Sequence, residues 1–308
     1  MIFLFFLILI LAVLLCGSYY AYRRCFFSPQ ERRDVLPRFE SERYAEHRAQ
    51  ILSFSKKLIE RPCEYVTVES QDGWTLSGRY YHFADGAPLD IGFHGYRSSC
   101  LTDFSGGAIL SFEMGHNLLL VDQRSHGKSQ GHTITFGILE RYDVLSWVYY
   151  ALNRFGMDTK ITLYGISMGG ATVLMASNLE LPENVKGIIA DCPYSSPKDI
   201  ICHVMRNEGM TPALVWPFVR LAARIYGGFH ICETSAADAV KEASVPILLL
   251  HGESDSFVPC KMSHKIQLAN PRLVRRFTFP GADHGLSFLM DGPGYRKIVV
   301  DFINEILA

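Results

Sequence analysis

The chain has 308 residues, 48% of them hydrophobic and 20% charged, and its 30 Lys and Arg nearly match its 31 Asp and Glu for a formal charge of −1. This globular balance excludes collagen-like, low-complexity and wholly disordered chains. Nucleic acid is excluded as a partner, because proteins that hold phosphate backbones carry a basic excess.

The near-zero charge hides an uneven layout. Residues 1–22 carry no charged side chain, and Ile2 to Leu15 is unbroken apolar sequence. Residues 2–22 span about 31 Å as a helix, enough for a hydrocarbon core of about 30 Å. Tyr19, Tyr20 and Tyr22 stand where an interfacial aromatic belt lies, and Arg23 and Arg24 end the span. A cleaved secretory signal wants basic residues before its apolar run, and none precedes Ile2. A lipoprotein signal wants a small residue before the modified cysteine, and Leu15 precedes Cys16. The sequence therefore predicts an uncleaved single-pass anchor in the cell membrane over residues 1–22. Arg23, Arg24, Arg32, Arg33 and Arg38 on the C-terminal flank place the following domain in the cytoplasm. Beyond the span stand Cys25, Cys63, Cys100, Cys192, Cys202, Cys232 and Cys260, with neither CxxC spacing nor a cluster with His. They read as reduced, mostly buried thiols.

Residues 23–62 read as a juxtamembrane linker, so that removal of the residues before Gln30 leaves a complete soluble domain. Within it, 38–60 is patterned as an amphipathic helix ended by Arg61-Pro62. From Cys63 onward strands alternate with helices. Strands are expected at 63–70, 74–82, 89–93, 117–122, 160–165, 186–191, 246–251 and 273–279, the first two joined at Gln71-Asp72-Gly73. Runs such as Leu118-Leu119-Leu120-Val121 suit strands covered on both faces. Helices are expected near 104–114, 137–154, 168–179, 260–269 and 294–306. The fold class is α/β: a doubly wound, mostly parallel sheet of about eight strands with helices on both faces, filling 63–308. An insertion over about 193–242, with helical runs near 197–208 and 213–226, is far longer than a plain crossover needs and reads as a lid.

Residues 161–170 are Ile-Thr-Leu-Tyr-Gly-Ile-Ser-Met-Gly-Gly. An apolar strand enters Gly165-Ile166-Ser167-Met168-Gly169 and a small-residue helix leaves it, which is the G-x-S-x-G elbow in its required setting. The turn leaves no room for side chains two residues to either side. The Ser167 hydroxyl is thereby exposed at a helix N-terminus, where the dipole favours developing negative charge. A serine nucleophile needs a base, and the base an orienting acid, in the chain order Ser, acid, His. His284, between Asp283 and Gly285 after the last strand, is the base. Asp255, after strand 246–251, is the acid, with Glu253 and Asp191 as rivals, Asp283 weaker, and His251 read as a structural hydrogen-bonder. The oxyanion hole is expected from the backbone N–H of Met168 and, beyond the Gly95 bend, that of Tyr96, with His94 pinning that loop.

With these pieces, 63–308 resembles the α/β-hydrolase superfamily, and most closely its serine aminopeptidase-like and monoacylglycerol-lipase-like branch, in a membrane-anchored bacterial type. The matching motifs are His94-Gly95, Asp122-Gln123-Arg124-Ser125-His126-Gly127-Lys128-Ser129, the Ser167 elbow, Asp255-Ser256-Phe257-Val258-Pro259 and Asp283-His284-Gly285. The resemblance implies structural roles for Asp122, Arg124 and His126. The expected activity is a serine hydrolase that cleaves a carboxylic ester through an acyl-enzyme, without metal or organic cofactor, on a small-molecule or short acyl or peptidyl substrate. A peptidase of the serine aminopeptidase type and a non-catalytic membrane scaffold are the alternatives. The insert's acids, Asp199, Glu208, Glu233, Asp238 and Glu242, are what an aminopeptidase would use for a substrate amine. Its aromatics, Tyr194, Trp216, Phe218, Tyr226 and Phe229, favour an apolar acyl or aryl group, unless they serve only to pack the insert.

Overall fold

The computed structural model of the chain describes residues 2–29 and 44–308. Arg32, Arg33, Arg38 and the first turn of the helix expected from residue 38 fall outside them. Eight strands form one sheet: β1 (Glu64–Glu69), β2 (Thr75–Tyr81), β3 (Leu89–Phe93), β4 (Asn117–Asp122), β5 (Ile161–Ile166), β6 (Val185–Asp191), β7 (Ile247–Gly252) and β8 (Val274–Phe279). Their order is β1-β2-β4-β3-β5-β6-β7-β8. Only the β1–β2 and β2–β4 pairs are antiparallel, so β2 runs against the other strands. The central strands are buried along their whole length, and their alternate residues feed two cores. Leu119 and Val121 pack on one face, Leu118 and Leu120 on the other. The edge strands β1 and β8 alternate in exposure, as strands with one wet face must.

One face is covered by α5 (Glu140–Phe155), α6 (Met168–Ala176) and α10 (Lys261–Ala269), the other by α4 (Gly107–Glu113) and α12 (Gly292–Leu307). The helix expected near 104–114 is α4, preceded by a short helix α3 (Cys100–Asp103) that the sequence reading did not anticipate. Gly106 lies between them so close to the Phe288 ring that a Cβ would sit 2.8 Å from it. Helix α2 (Arg48–Glu60) lies on the flank of the domain, burying Ile51 and Leu58. Between β6 and β7 come α7 (Pro197–Asn207), α8 (Pro212–Ile225) and the single turn α9 (Ala236–Ala239), and α11 (Ser287–Met290) follows β8.

Helix α1 (Ile2–Cys25) is long and apolar enough to cross a membrane, a test that signal sequences also pass. Its residues 2–16 are exposed, but the rest of it is docked. Ser18 and Ala21 are buried. Phe26 is 0% exposed, edge-on to the rings of Phe136 and Phe229. Ser28 N–H donates to His132 O at 2.9 Å, and Ile134 N–H to Phe26 O at 2.8 Å. Residues 18–28 are therefore built into the domain rather than forming the free linker expected from residue 23 onward.

Candidate active site

Ser167 stands between the end of β5 and the first residue of α6, with φ 56° and ψ −114°, a strained conformation for a residue bearing a side chain. The flanking glycines are sterically required. A Cβ on Gly165 would lie 2.2 Å from Gly169 O, and one on Gly169 would lie 1.8 Å from Phe93 O. The backbone N–H of Ser167 is held by Asp191 O at 2.8 Å. Its hydroxyl donates to His284 Nε2 at 3.0 Å. His284 Nδ1 donates in turn to Asp255 Oδ2 at 2.7 Å. Because that carboxylate oxygen is an acceptor, the ring proton sits on Nδ1 and Nε2 is free to take one from Ser167. All three residues are buried.

Asp255 is more extensively bonded than its place in the sequence suggested. Oδ1 accepts from Phe257 N–H at 2.9 Å and Val258 N–H at 2.7 Å. Oδ2 has a second histidine, His251, at 3.2 Å, whose Nε2 also donates to Val258 O at 2.8 Å. Burial pushes the Asp255 carboxyl up, but hydrogen bonds from His251 and His284 outweigh it and hold the group well below the usual carboxylate range. The rivals are occupied elsewhere. Glu253 accepts from Thr278 Oγ1 at the surface. Asp191 accepts from Tyr295 Oη at 2.9 Å, and burial raises its carboxyl to about 6. Asp283 is a clamp between loops: it accepts from Ser256 N–H at 2.8 Å and from His284 N–H at 2.7 Å.

Met168 opens α6, so its N–H has no acceptor within the helix. The loop after β3 passes directly over the serine: a Cβ on Gly95 would lie 3.2 Å from Ser167 Cβ. Two buried histidines pin that loop. His94 Nδ1 donates to Gly95 O at 2.8 Å, and its Nε2 accepts from Gln123 N–H at 3.1 Å. His126 Nδ1 donates to Arg124 O at 2.9 Å, and its Nε2 accepts from Arg97 N–H at 3.0 Å. Both rings are neutral by this geometry, and burial pushes them down to about 4 and about 3. Arg124 joins Asp72 of the β1–β2 turn to Asp143 of α5, a structural tie.

Three features went unread in the sequence. Asp103 of α3 accepts from Gly95 N–H and from Ser98 Oγ, both at 2.6 Å, gripping the loop from below. The Cys192 thiol is 3.9 Å from His284 Nε2. The Tyr96 hydroxyl donates to Cys25 O at 2.8 Å, and Arg97 donates to Arg24 O and Phe27 O, so the loop over the serine is fastened to the end of α1. Only Cys192, following a strand end, carried any positional signal.

Among the described residues, the potential ligand atoms of Cys192, Asp255 and His284 lie within 4.8 Å of one another. They make a poor metal site. Asp255 and His284 are bonded to each other, and burial pushes the Cys192 thiol far above its ordinary value, so the thiolate a metal wants does not form.

The comparisons agree with this geometry. A family described as the alpha/beta hydrolase fold matches residues 103–223. The esterase Pf2001 of Pyrococcus furiosus superposes with a TM-score of 0.66 at 21% identity, covering 81% of this chain and 93% of that one. The chain has the α/β-hydrolase fold. Est1E of Butyrivibrio proteoclasticus, solved with ferulic acid, has the same α/β-hydrolase fold, with a TM-score of 0.60 at 22% identity over 79% of this chain and 99% of that one. Among relatives by sequence, the uncharacterized protein YqkD of Bacillus subtilis is 25% identical over 200 residues, 64% of this chain. The chain spans 65% of YqkD, under two-thirds of that relative's length.

The structure also bears on the insert. Tyr194 is buried with its hydroxyl on Phe136 O, and Phe229 packs on Phe26. Phe218 lies over Gly17 of α1, and Tyr226 meets Tyr19 edge-on and Tyr22 at a tilt. Four of the five aromatics expected to favour an apolar substrate are thus packing groups. Trp216, too, is partly buried against the core, with Lys198 over its ring.

Proposed function

We propose that the protein is a serine hydrolase that cleaves carboxylic esters through an acyl-enzyme. The observation that carries this reading is the continuous hydrogen-bonded chain from Ser167 Oγ through His284 to Asp255. Ser167 Oγ attacks the ester carbonyl as its proton passes to His284 Nε2. The ionised Asp255, held by four donors, stabilises the imidazolium and keeps the ring oriented. The oxyanion is received by the N–H groups of Met168 and Tyr96 at the N-terminus of α6, where the helix dipole adds to the attraction. His284 then protonates the leaving alcohol, and later draws a proton from the water that hydrolyses the acyl-enzyme.

An ester fits better than an aminoacyl amide. An aminopeptidase needs free carboxylates in the insert for the substrate amine. Of the insert's five acids, Glu233 is paired with Arg141, Asp199 with Lys265, Asp238 with Lys241, and Glu208 faces Arg24, which leaves only the exposed Glu242 for that role. In this reading residues 193–242 are the lid, residues 1–22 the membrane anchor and the rest a domain on the cytoplasmic side. The test is turnover of p-nitrophenyl esters against aminoacyl p-nitroanilides by the full chain. Ester hydrolysis lost in Ser167→Ala supports the proposal. Preference for the anilides would replace it with the peptidase reading.

A further inference from the structure

The outer face of α8 presents a stripe that the described fold leaves half covered. Leu214, Phe218, Leu221 and Ile225, spaced by four, three and four residues, share one side of the helix. Phe218, inside the stripe, is pressed onto Gly17 of α1, whereas Leu214 is 72% and Ile225 48% exposed. The docking level on α1 is informative. Phe218 meets Gly17, and Tyr226, about 12 Å further along, meets Tyr19 and Tyr22 and donates its hydroxyl to Leu15 O. The contact covers two turns of α1, from Leu15 to Tyr22. All of these α1 residues lie on the apolar side of Arg23, the first charge. A helix packed on a membrane span at this level, next to its first charge, stands at the bilayer boundary. Beside the stripe, α8 exposes Arg220 and Arg224 and contains no acid, the composition of a helix resting at an anionic headgroup boundary.

We propose that the Leu214–Leu221–Ile225 stripe is a second membrane-contacting surface, with the bilayer itself as its occupant. The apolar stripe dips below the headgroups next to α1 while Arg220 and Arg224 meet lipid phosphates. The inference rests on the reading of α1 as a membrane span, and it makes the insert an interfacial element rather than a cap facing water. Substrate then approaches from the leaflet, which selects esters that partition into lipid.

The test places p-benzoylphenylalanine singly at Leu214, Ile225, Phe5 and Tyr149 in the full chain, reconstituted in phosphatidylglycerol–phosphatidylethanolamine vesicles and irradiated. Phe5 reports the span, and Tyr149 of α5, 49% exposed, is the water-facing control. Lipid adducts at 214 and 225 comparable with those at 5, and none above background at 149, are expected. Lipid adducts at 5 without any at 214 and 225 overturn the proposal while leaving the anchor standing. Dimeric protein adducts at 214 also overturn it, in favour of a second copy on this face. Loss of adducts at 5 as well removes the span and the proposal together. None of these readouts depends on esterase activity.

Discussion

Ser167, His284 and Asp255 divide the proposed labour unequally, and substitution should show it. Ser167→Ala and His284→Ala are each expected to lower kcat by on the order of 10⁶-fold, and Asp255→Asn by about 10⁴-fold. Glu253→Gln, at a surface residue bonded to Thr278, should be near neutral. Steady-state kinetics on one soluble ester checks all four. Asp103 acts on the oxyanion loop without touching substrate. Asp103→Ala leaves Gly95 N–H without its acceptor, and kcat should fall by up to about 10²-fold with KM little changed. A KM effect alone would make Asp103 a purely structural support. His126 gives a pH signature. Burial holds its folded-state value near 3 and that of His94 near 4, both below the unfolded value of about 6.5. The unfolded chain therefore takes up protons first, and the stability contributed by the neutral rings is lost as pH falls from about 6.5 to these values. Asp191, raised to about 6, acts in the opposite sense over part of that window. The comparison must therefore be between variants. His126→Gln, which retains a donor and an acceptor but cannot titrate, should lose less stability than the parent between pH 6.5 and 4, by at most about 1.4 kcal/mol per pH unit. Urea midpoints across that range measure it.

The elements were legible where the pattern is local. All eight strands lie within a residue or two of their sequence positions, because a buried parallel strand is a short apolar run between turn residues. The elbow was legible because strand, glycines and helix are contiguous. What escaped was set by contacts between distant segments. The grip of Asp103 on Gly95 and the close approach of Phe288 to Gly106 have no pattern in the chain. The largest departure is the end of α1. Its last turns and Phe26 are held by residues 133–136 and 226–229, which no local reading connects to an anchor. This changes what truncation should do. Removing residues 2–16, exposed throughout, should leave a folded domain. Removing everything before Gln30 takes away Phe26, the acceptor of the Tyr96 hydroxyl and the edge contact at Phe27–Thr133. Phe26→Ala alone should cost about 3–5 kcal/mol. Thermal melts in one detergent should therefore place the longer truncation well below the shorter one.

At the scale of the whole molecule, α1 and the candidate site are one unit. The loop over Ser167 is fastened to the end of α1 through Tyr96 and Arg97, and the insert packs on α1 through Phe218. With α1 read as the membrane anchor, the proposed reaction takes place at a fixed height above the bilayer. Arg23 and Arg24 predict that this height is measured on the cytoplasmic side, so protease added to intact cells, or to spheroplasts where an outer membrane is present, should leave the domain uncut. All of this depends on the buried serine being a nucleophile. A fluorophosphonate probe reacts with a serine only when a base activates it, and the full-length protein should acquire one adduct that peptide mapping places on Ser167, absent from Ser167→Ala and strongly reduced in His284→Ala. A folded wild type that takes no label, or a Ser167→Ala variant that labels as well as wild type, would contradict the account.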